Sequence, residues 1–387
     1  MGGFYIGRER RARKAYGFDE VALVPGQKAL DPSDVDISWK IGDLTFSTPI
    51  LASAMDGVVD TNFAIQMGKL GGLAVLNLEG VQTRYDEPVK AIEEIVYSSP
   101  EESVETIQRI YRVPIKEELI EERIKEMKKA EIPVAVSCIP QRAARFGSIA
   151  EEAGADIFVV QATVVTTEYI SSKDKKLDFN KFCRQLSIPV MVGNCVTYET
   201  AYDLMQTGIA ALLVGVGPGA ACTTREVLGV GVPQVTTTID TAAARDDYFK
   251  KSGRYIPVIT DGGMKSGGDI CKALASGADA VMIGSAFARA NEAPGKGYHW
   301  GMATSDENLP RGVKVAVGTT GTLKDILYGP ARLDDGSQNL AWAIRTCMGY
   351  CGVSNIKEMH EVEMVIAPAI KSEGKFFQEV QRLKGKR

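Results

Sequence analysis

A (β/α)8 TIM barrel of the α/β class is the fold this sequence predicts, and three observations predict it. Short β-rich runs alternate with helical stretches along most of the 387 residues. The runs are apolar at consecutive positions rather than at every second one, as in parallel strands buried on both faces. Three of them follow near-identical lead-ins, AGADIFVV (153–160), TGIAALLV (207–214) and SGADAVMI (276–283). Eight such runs are the count for a closed barrel. A doubly wound open sheet is the competitor, but no GxGxxG opens a first βαβ unit.

The first strand is expected at Thr48–Ala54 and the second at Leu73–Asn77. Residues 82–131 then break the pattern. They are rich in Glu and Lys, punctuated by Pro88, Pro100 and Pro114, and predict two or three surface helices inserted before the third strand. Strands follow at Pro133–Cys138, Asp156–Ala162, Ile188–Val192, Ala210–Val214, Pro257–Thr260 and Ala280–Ile283, with helices such as Gln141–Ala153, Tyr198–Gln206 and Gly268–Ser276 between them. Residues 291–340 are Gly-, Pro- and polar-rich, with few clear helices; long loops on a barrel are usually functional. The expected organisation is one catalytic barrel over 1–387, a helical insertion at 82–131 and a flap or active-site loop region at 291–340.

Bulk properties narrow the function. Hydrophobic content of 45% and charged content of 24% are ordinary for a globular chain. A net charge of −4 argues against a nucleic-acid surface. The basic cluster Arg8, Arg10, Arg11, Arg13 and Lys14 reads as a solvated arm, and no apolar run follows it as in a signal peptide. The longest apolar stretch, Ile209–Cys222, is too short to span a bilayer and contains Gly-Pro-Gly. Seven scattered cysteines do not suggest a disulfide framework, so the expected setting is cytoplasmic, with reduced thiols. Two histidines and no CxxC cluster argue against zinc.

The most informative segment is GVGPGAACTTREVLGVGVPQ (215–234). A strand runs into a Gly-Pro-Ala loop that presents Cys222, with two threonines and an arginine directly after it. A thiol on such a loop, at a helix N-terminus, is wired as a nucleophile. Any single cysteine is more often packing, and Cys138, Cys183, Cys195, Cys271, Cys347 and Cys351 are assigned to that class; Cys347 and Cys351 read as a buried pair on one helical face. Asp261-Gly262-Gly263 and Gly284-Ser285 end the last two strands. Two glycine turns there, each feeding a helix, suggest a phosphate cradle, and Asp261 suits a ribose diol. The plain alternative is a pair of capped αβ turns. Ser53-Ala54-Met55-Asp56-Gly57 ends the first strand, and Met55 reads as core filler or as a soft face for a purine. Asn77, Cys138, Gln161 and Asn194 also stand at strand ends, where barrel chemistry collects.

These residues carry a resemblance over nearly the whole chain. GFDEVALVPG (17–26), PILASAMDGV (49–58), VGNCVT (192–197), VGVGPGAACTTR (214–225), GVGVPQ (229–234), ITDGG (259–263), SGGDICKALASGADAVMIGSAFA (266–288) and GM (301–302) are similar to the catalytic barrel of IMP dehydrogenase and GMP reductase. The compact IMP dehydrogenase-like branch, which lacks the tandem CBS domain, is the nearest match; residues 82–131 stand where that domain would be inserted. The resemblance implies that Cys222 adds to C2 of IMP, that hydride passes to NAD+, and that water hydrolyses the covalent thioimidate to XMP in guanine nucleotide biosynthesis. It implies that Thr224 helps activate the water. Asp261 would hold the ribose, while Gly263, Gly284 and Ser285, with Gly262, hold the phosphate. Ser53, Met55, Gly301 and Met302 would contact the nucleotide. Gln161, Asn194, Gly215 and Gly217 are the positions implied for the dinucleotide. Carbonyls of Gly217, Gly219 and Cys222 would bind K+, completed by Glu373-Gly374 of a neighbouring subunit in a homotetramer or octamer.

The sequence also departs from the family. The flap's Arg-Tyr pair is missing between Met302 and Val317, and Val317 replaces a Glu or Gln. Arg311, Asp306 or Glu307 are bases by position only. Ala220 replaces a phosphate-binding serine, for which His299 or backbone would compensate. Gln161 replaces the Asp that meets the nicotinamide ribose. Three readings stand: IMP dehydrogenase; GMP reductase, which Glu307 would serve; and a nucleotide-binding regulatory paralogue.

Overall fold

The computed structural model describes residues 3–172, 176–301 and 313–367. Eight parallel strands close in chain order into a barrel: β1 (Ile50–Ala52), β2 (Leu73–Asn77), β3 (Ala135–Cys138), β4 (Ile157–Gln161), β5 (Val190–Cys195), β6 (Ala211–Val214), β7 (Val258–Asp261) and β8 (Ala280–Ile283). The seam pairs Val281 of β8 with Ile50 of β1. The predicted barrel is therefore present. Its strands are shorter than the apolar runs, because the residues that flank them bend away into the loops; the first run, Thr48–Ala54, yields only Ile50–Ala52.

Side-chain alternation explains why the runs are apolar throughout. Leu51, Leu73, Val75, Ile157, Val159, Met191, Leu213, Ile259 and Met282 point inward and fill the barrel. Their neighbours Ile50, Leu76, Phe158, Val160, Val192, Leu212, Val214 and Ile283 pack outward on the helices. Each strand thus buries both faces, at ~25 cal/mol per Å2 of apolar surface. A β-hairpin, Trp39–Ile41 with Leu44–Phe46, joins the interior cluster, its Trp39 and Phe46 rings stacked at 5.2 Å. Its turn at Gly42 lies beside Pro189, just before β5, so it closes the N-terminal end of the barrel.

The insertion holds three helices, α2 (Pro88–Tyr97), α3 (Ser103–Tyr111) and α4 (Glu117–Lys128). They are not merely surface helices. Ile92, Ile95, Ile107, Ile110 and Tyr111 build a separate buried cluster with Val81 and Trp300. Trp300 lies far along the chain, on β9 (Tyr298–Trp300), which pairs antiparallel with β10 (Lys314–Ala316). The region expected to hold few clear helices contains α12 (Leu323–Tyr328), started by a capping box between Thr322 and Asp325. Cys347 and Cys351, expected as a buried pair, are half-buried on α13 (Leu340–Cys351), with Cys347 against Cys271 of α10 (Gly267–Ala275). Among the described residues, no helix is long and apolar enough to cross a membrane.

Candidate active site

Strand β7 delivers Asp261 to the C-terminal mouth. Gly262 and Gly263 follow with φ of +81° and +84°, a left-handed pair that carries the chain away from the sheet. Two side chains from other strands converge on the carboxylate. The Gln161 amide, from the end of β4, donates to Asp261 Oδ2 at 2.9 Å, and the Asn194 amide, from β5, donates to the same oxygen at 2.8 Å. Gln161 also donates to Asn194 Oδ1 at 3.1 Å. Among the described residues Oδ1 of Asp261 takes no hydrogen bond, so it remains an acceptor for a ligand. Burial pushes this carboxyl up to about 6, against the downward pull of Asn194 and then Gln161.

The cysteine loop leans on this turn. A Cβ on Gly263 would stand 3.1 Å from Pro218 Cβ. Gly263→Ala is expected to destabilise by about 1–2 kcal/mol through its left-handed backbone, read as a lower urea midpoint. Gly268→Ala, which has room and an ordinary helical backbone, is the control that should lose nothing. Gln234, the first residue of α9 (Gln234–Ser252), stitches the turn to the loop by donating to the carbonyls of Asp261 at 2.9 Å and Gly262 at 3.3 Å. Arg225 braces the loop from within, donating to Val216 O at 3.0 Å and Val232 O at 2.5 Å.

Cys222 is the exposed one of the seven cysteines. Its N–H donates to Gly219 O at 3.0 Å, which closes a turn and lifts the side chain. The thiol donates to Thr224 Oγ1 at 3.2 Å, and Thr224 itself is buried. The helix expected behind the cysteine is a single turn, α8 (Thr224–Leu228), and Cys222 stands two residues before it. The polar group the thiol meets is therefore the Thr224 hydroxyl rather than the end of a long helix.

On the other side of the mouth, Ser285 opens α11 (Ser285–Ala288), and its hydroxyl lies 3.1 Å from Nε2 of His299 on β9. His299 is buried with Nδ1 unpartnered, and burial pushes its ring down to about 4, so it is neutral at ordinary pH. Met55 packs directly on Gly284, where a Cβ would stand 2.9 Å from its Sδ. Ser53 ties β1 to β8 by donating its N–H to Ile283 O at 3.0 Å.

The predicted residues Ser53, Met55, Gln161, Asn194, Cys222, Thr224, Asp261–Gly263, Gly284, Ser285 and His299 thus share one end of the barrel. Gly301 is half-buried directly after β9. Gly215 and Gly217 do not stand open to a ligand in the same way. Gly215 is buried, with Asp261 O 2.6 Å from where its Cβ would be, and Gly217 is covered by Arg225. Met302, Asp306, Glu307, Arg311, Glu373 and Gly374 lie outside the described residues. Sequence reasoning gave no role to Gln234 or Asp56. Gln234 stood in the quoted GVGVPQ segment, but its partners are backbone atoms of a distant strand. Asp56 is wholly buried, with its Oδ2 bonded to Val81 N–H at 2.9 Å and to the Tyr111 hydroxyl.

The family model described as IMP dehydrogenase / GMP reductase domain matches residues 15–375. An uncharacterized oxidoreductase of Mycolicibacterium smegmatis is 35% identical over 93% of this chain and 99% of its own length. Inosine-5'-monophosphate dehydrogenase of Methanocaldococcus jannaschii is 28% identical over 90% of this chain and 92% of its own. That alignment runs over 476 positions, so the relative holds internal stretches that this chain lacks. A crystal structure of an IMP dehydrogenase/GMP reductase-like protein from Corynebacterium glutamicum is 33% identical, with a TM-score of 0.89 over 94% of this chain and 97% of the other.

Proposed function

The chain belongs to the IMP dehydrogenase / GMP reductase family, in a compact branch, and from that premise we propose that this oxidoreductase is an IMP dehydrogenase: IMP, NAD+ and water go to XMP, NADH and a proton. The observation that carries the reading is the exposed Cys222 thiol against the buried Thr224 hydroxyl, on a loop that leans on the Asp261–Gly263 turn. The sulfur forms a bond to C2 of the purine, and C2 then loses its hydride. NAD+, when bound, supplies the acceptor for that hydride. The resulting thioimidate is split by water, which returns the sulfur and places oxygen on C2. Thr224, already within reach of the sulfur, holds the attacking water, and the proton that the reaction sets free leaves to solvent. Covalent attachment divides one difficult displacement into two easier steps.

The surrounding residues fit this assignment. Asp261 Oδ1 accepts from the ribose hydroxyls, while Oδ2 is held by Gln161 and Asn194. Ser285, oriented by His299, and the backbone at Gly263 and Gly284 receive the phosphate. Gln161 spends its N–H bonds on Asn194 and Asp261, which leaves Oε1 to accept from the dinucleotide's ribose with less pull than a carboxylate. Backbone carbonyls of Gly217, Gly219 and Cys222 are the donor type that suits a hard cation, and K+ held there would stiffen the cysteine loop.

One absorbance assay in K+ buffer tests the reading. NADH is expected to form with IMP and NAD+, and no NADPH should be consumed with GMP. NADPH consumption with GMP would make the chain a GMP reductase; silence in both would make it a nucleotide-binding paralogue without this chemistry.

A further inference from the structure

Among the contacts of the helical insertion, one hydroxyl bridges two elements that flank the nucleotide site. Tyr111 ends α3, yet its OH donates to Asp56 Oδ2, on the loop that follows β1, and accepts from the Trp300 indole N–H at 2.9 Å, on β9. The two elements it joins line the phosphate side of the site. Met55, next to Asp56, rests on Gly284, and His299, next to Trp300, meets Ser285. Alternation along β9 turns Trp300 into the insertion and His299 toward the cradle. The loop and the ribbon also touch directly: a Cβ on Gly57 would stand 2.9 Å from His299 Cα. A second contact holds the partner strand. Lys314 of β10 donates to the carbonyls of Ile95 at 3.2 Å and Val96 at 3.2 Å and of Ser98 at 2.6 Å, at the end of α2.

This junction is poorly built for stability alone. Asp56 is fully buried, and its Oδ1 has no hydrogen-bond partner. A buried carboxyl with an unmet acceptor costs folding free energy that an apolar side chain would not. Arg84 stands over the Tyr111 ring at 5.8 Å rather than pairing with that oxygen. What the arrangement supplies is position: the hydroxyl adds a side-chain bridge between loop and ribbon to the backbone bond from Gly295 N–H to Gly57 O at 3.1 Å.

We propose that Tyr111 is a positioning residue of the nucleotide site: by bridging Asp56 and Trp300 it seats His299 against Ser285 and Met55 against Gly284, so the insertion sets the geometry that receives the phosphate end of the ligand. The proposal rests on the purine-nucleotide reading above, and its test separates the two. Tyr111→Phe keeps the ring and removes the bridge. By calorimetry, IMP affinity is expected to fall about tenfold, the size of one lost hydrogen bond to a charged group. In the double variant with His299→Ala, the Tyr111 change should cost clearly less than it does alone, because part of its effect passes through His299. The chain has only two histidines, so histidine-labelled NMR reads His299 and His360 separately without any ligand. Tyr111→Phe should move the ring signals of His299 and leave those of His360. Trp300→Phe cuts the bridge from the other side and should reproduce both effects if Tyr111→Phe folds poorly. Unmoved His299 signals with unchanged IMP affinity, additive losses in the double variant, or equal shifts at both histidines would overturn the proposal. If the wild-type chain takes up no IMP, the functional reading fails, and the histidine signals still decide the bridge.

Discussion

Cys222→Ala is expected to abolish turnover of IMP, lowering kcat by at least about 10^4-fold, as loss of a covalent nucleophile does. Binding should survive, because Asp261, Ser285 and His299 are untouched. No other thiol can substitute. Cys195 ends the neighbouring strand β5 and Cys138 ends β3, but both are buried, and burial pushes Cys195 up to about 12. Two measurements check this. NADH absorbance should be flat for the variant while calorimetry still finds IMP binding. Rapid acid quench of the wild type, followed by mass spectrometry, should find the purine adduct on the peptide that carries Cys222. Residual turnover above about one per cent would sink the covalent mechanism, since the uncatalysed displacement has no such rate.

The second large effect is at Asp261. Asp261→Ala should weaken IMP by about 100-fold, the scale of losing two hydrogen bonds to a charged acceptor. The pH dependence follows from the raised carboxyl, at about 6 in the fold. Only the ionised form accepts from both ribose hydroxyls, so KM for IMP should be level above that value. Below it, KM should rise roughly tenfold per pH unit. Stability moves in the opposite direction. Between the ordinary 3.8 and about 6 the folded chain holds a proton that the unfolded chain releases. This group's contribution to stability is therefore fully present at low pH and is lost as pH rises through 6. A weakening of IMP on acidification without loss of thermal stability is the signature of Asp261. Asp261→Asn should flatten the profile; a variant that keeps the wild-type slope would assign the titration elsewhere.

The barrel was legible because its signal is local and repeated. Two-sided burial forces continuous apolar runs, and the short αβ turns repeat one lead-in. The cysteine loop was legible for the same reason, since Gly217, Pro218, Cys222 and Thr224 all fall within one turn of chain. What was missed is long-range. Gln161, Asn194 and Asp261 meet from three strands, up to 100 residues apart, and nothing near any one of them announces the other two. Gln161 read as a cofactor contact, whereas its amide first serves the carboxylate. His299 reaches Ser285 from β9, which pairs with β10 and was not foreseen as a strand. The insertion read as surface because its helices are amphipathic and charged, with Lys and Glu outward. The inner stripes Ile92 and Ile95 of α2 and Ile107 and Ile110 of α3 pack on each other, and the cluster is completed from outside the insertion by Val81 and Trp300. The helix behind Cys222 is short because Gly229, in the left-handed region, ends it after five residues.

The Trp39–Phe46 hairpin gives the molecule a stopper at the end away from the chemistry. A whole strand length lies between that stopper and Cys222, with no shared side-chain partners. Free-energy changes at the two ends should therefore add rather than interact. An engineer who reshapes the mouth for another purine can offset the lost robustness by repacking the stopper, and can tune each end without re-screening the other.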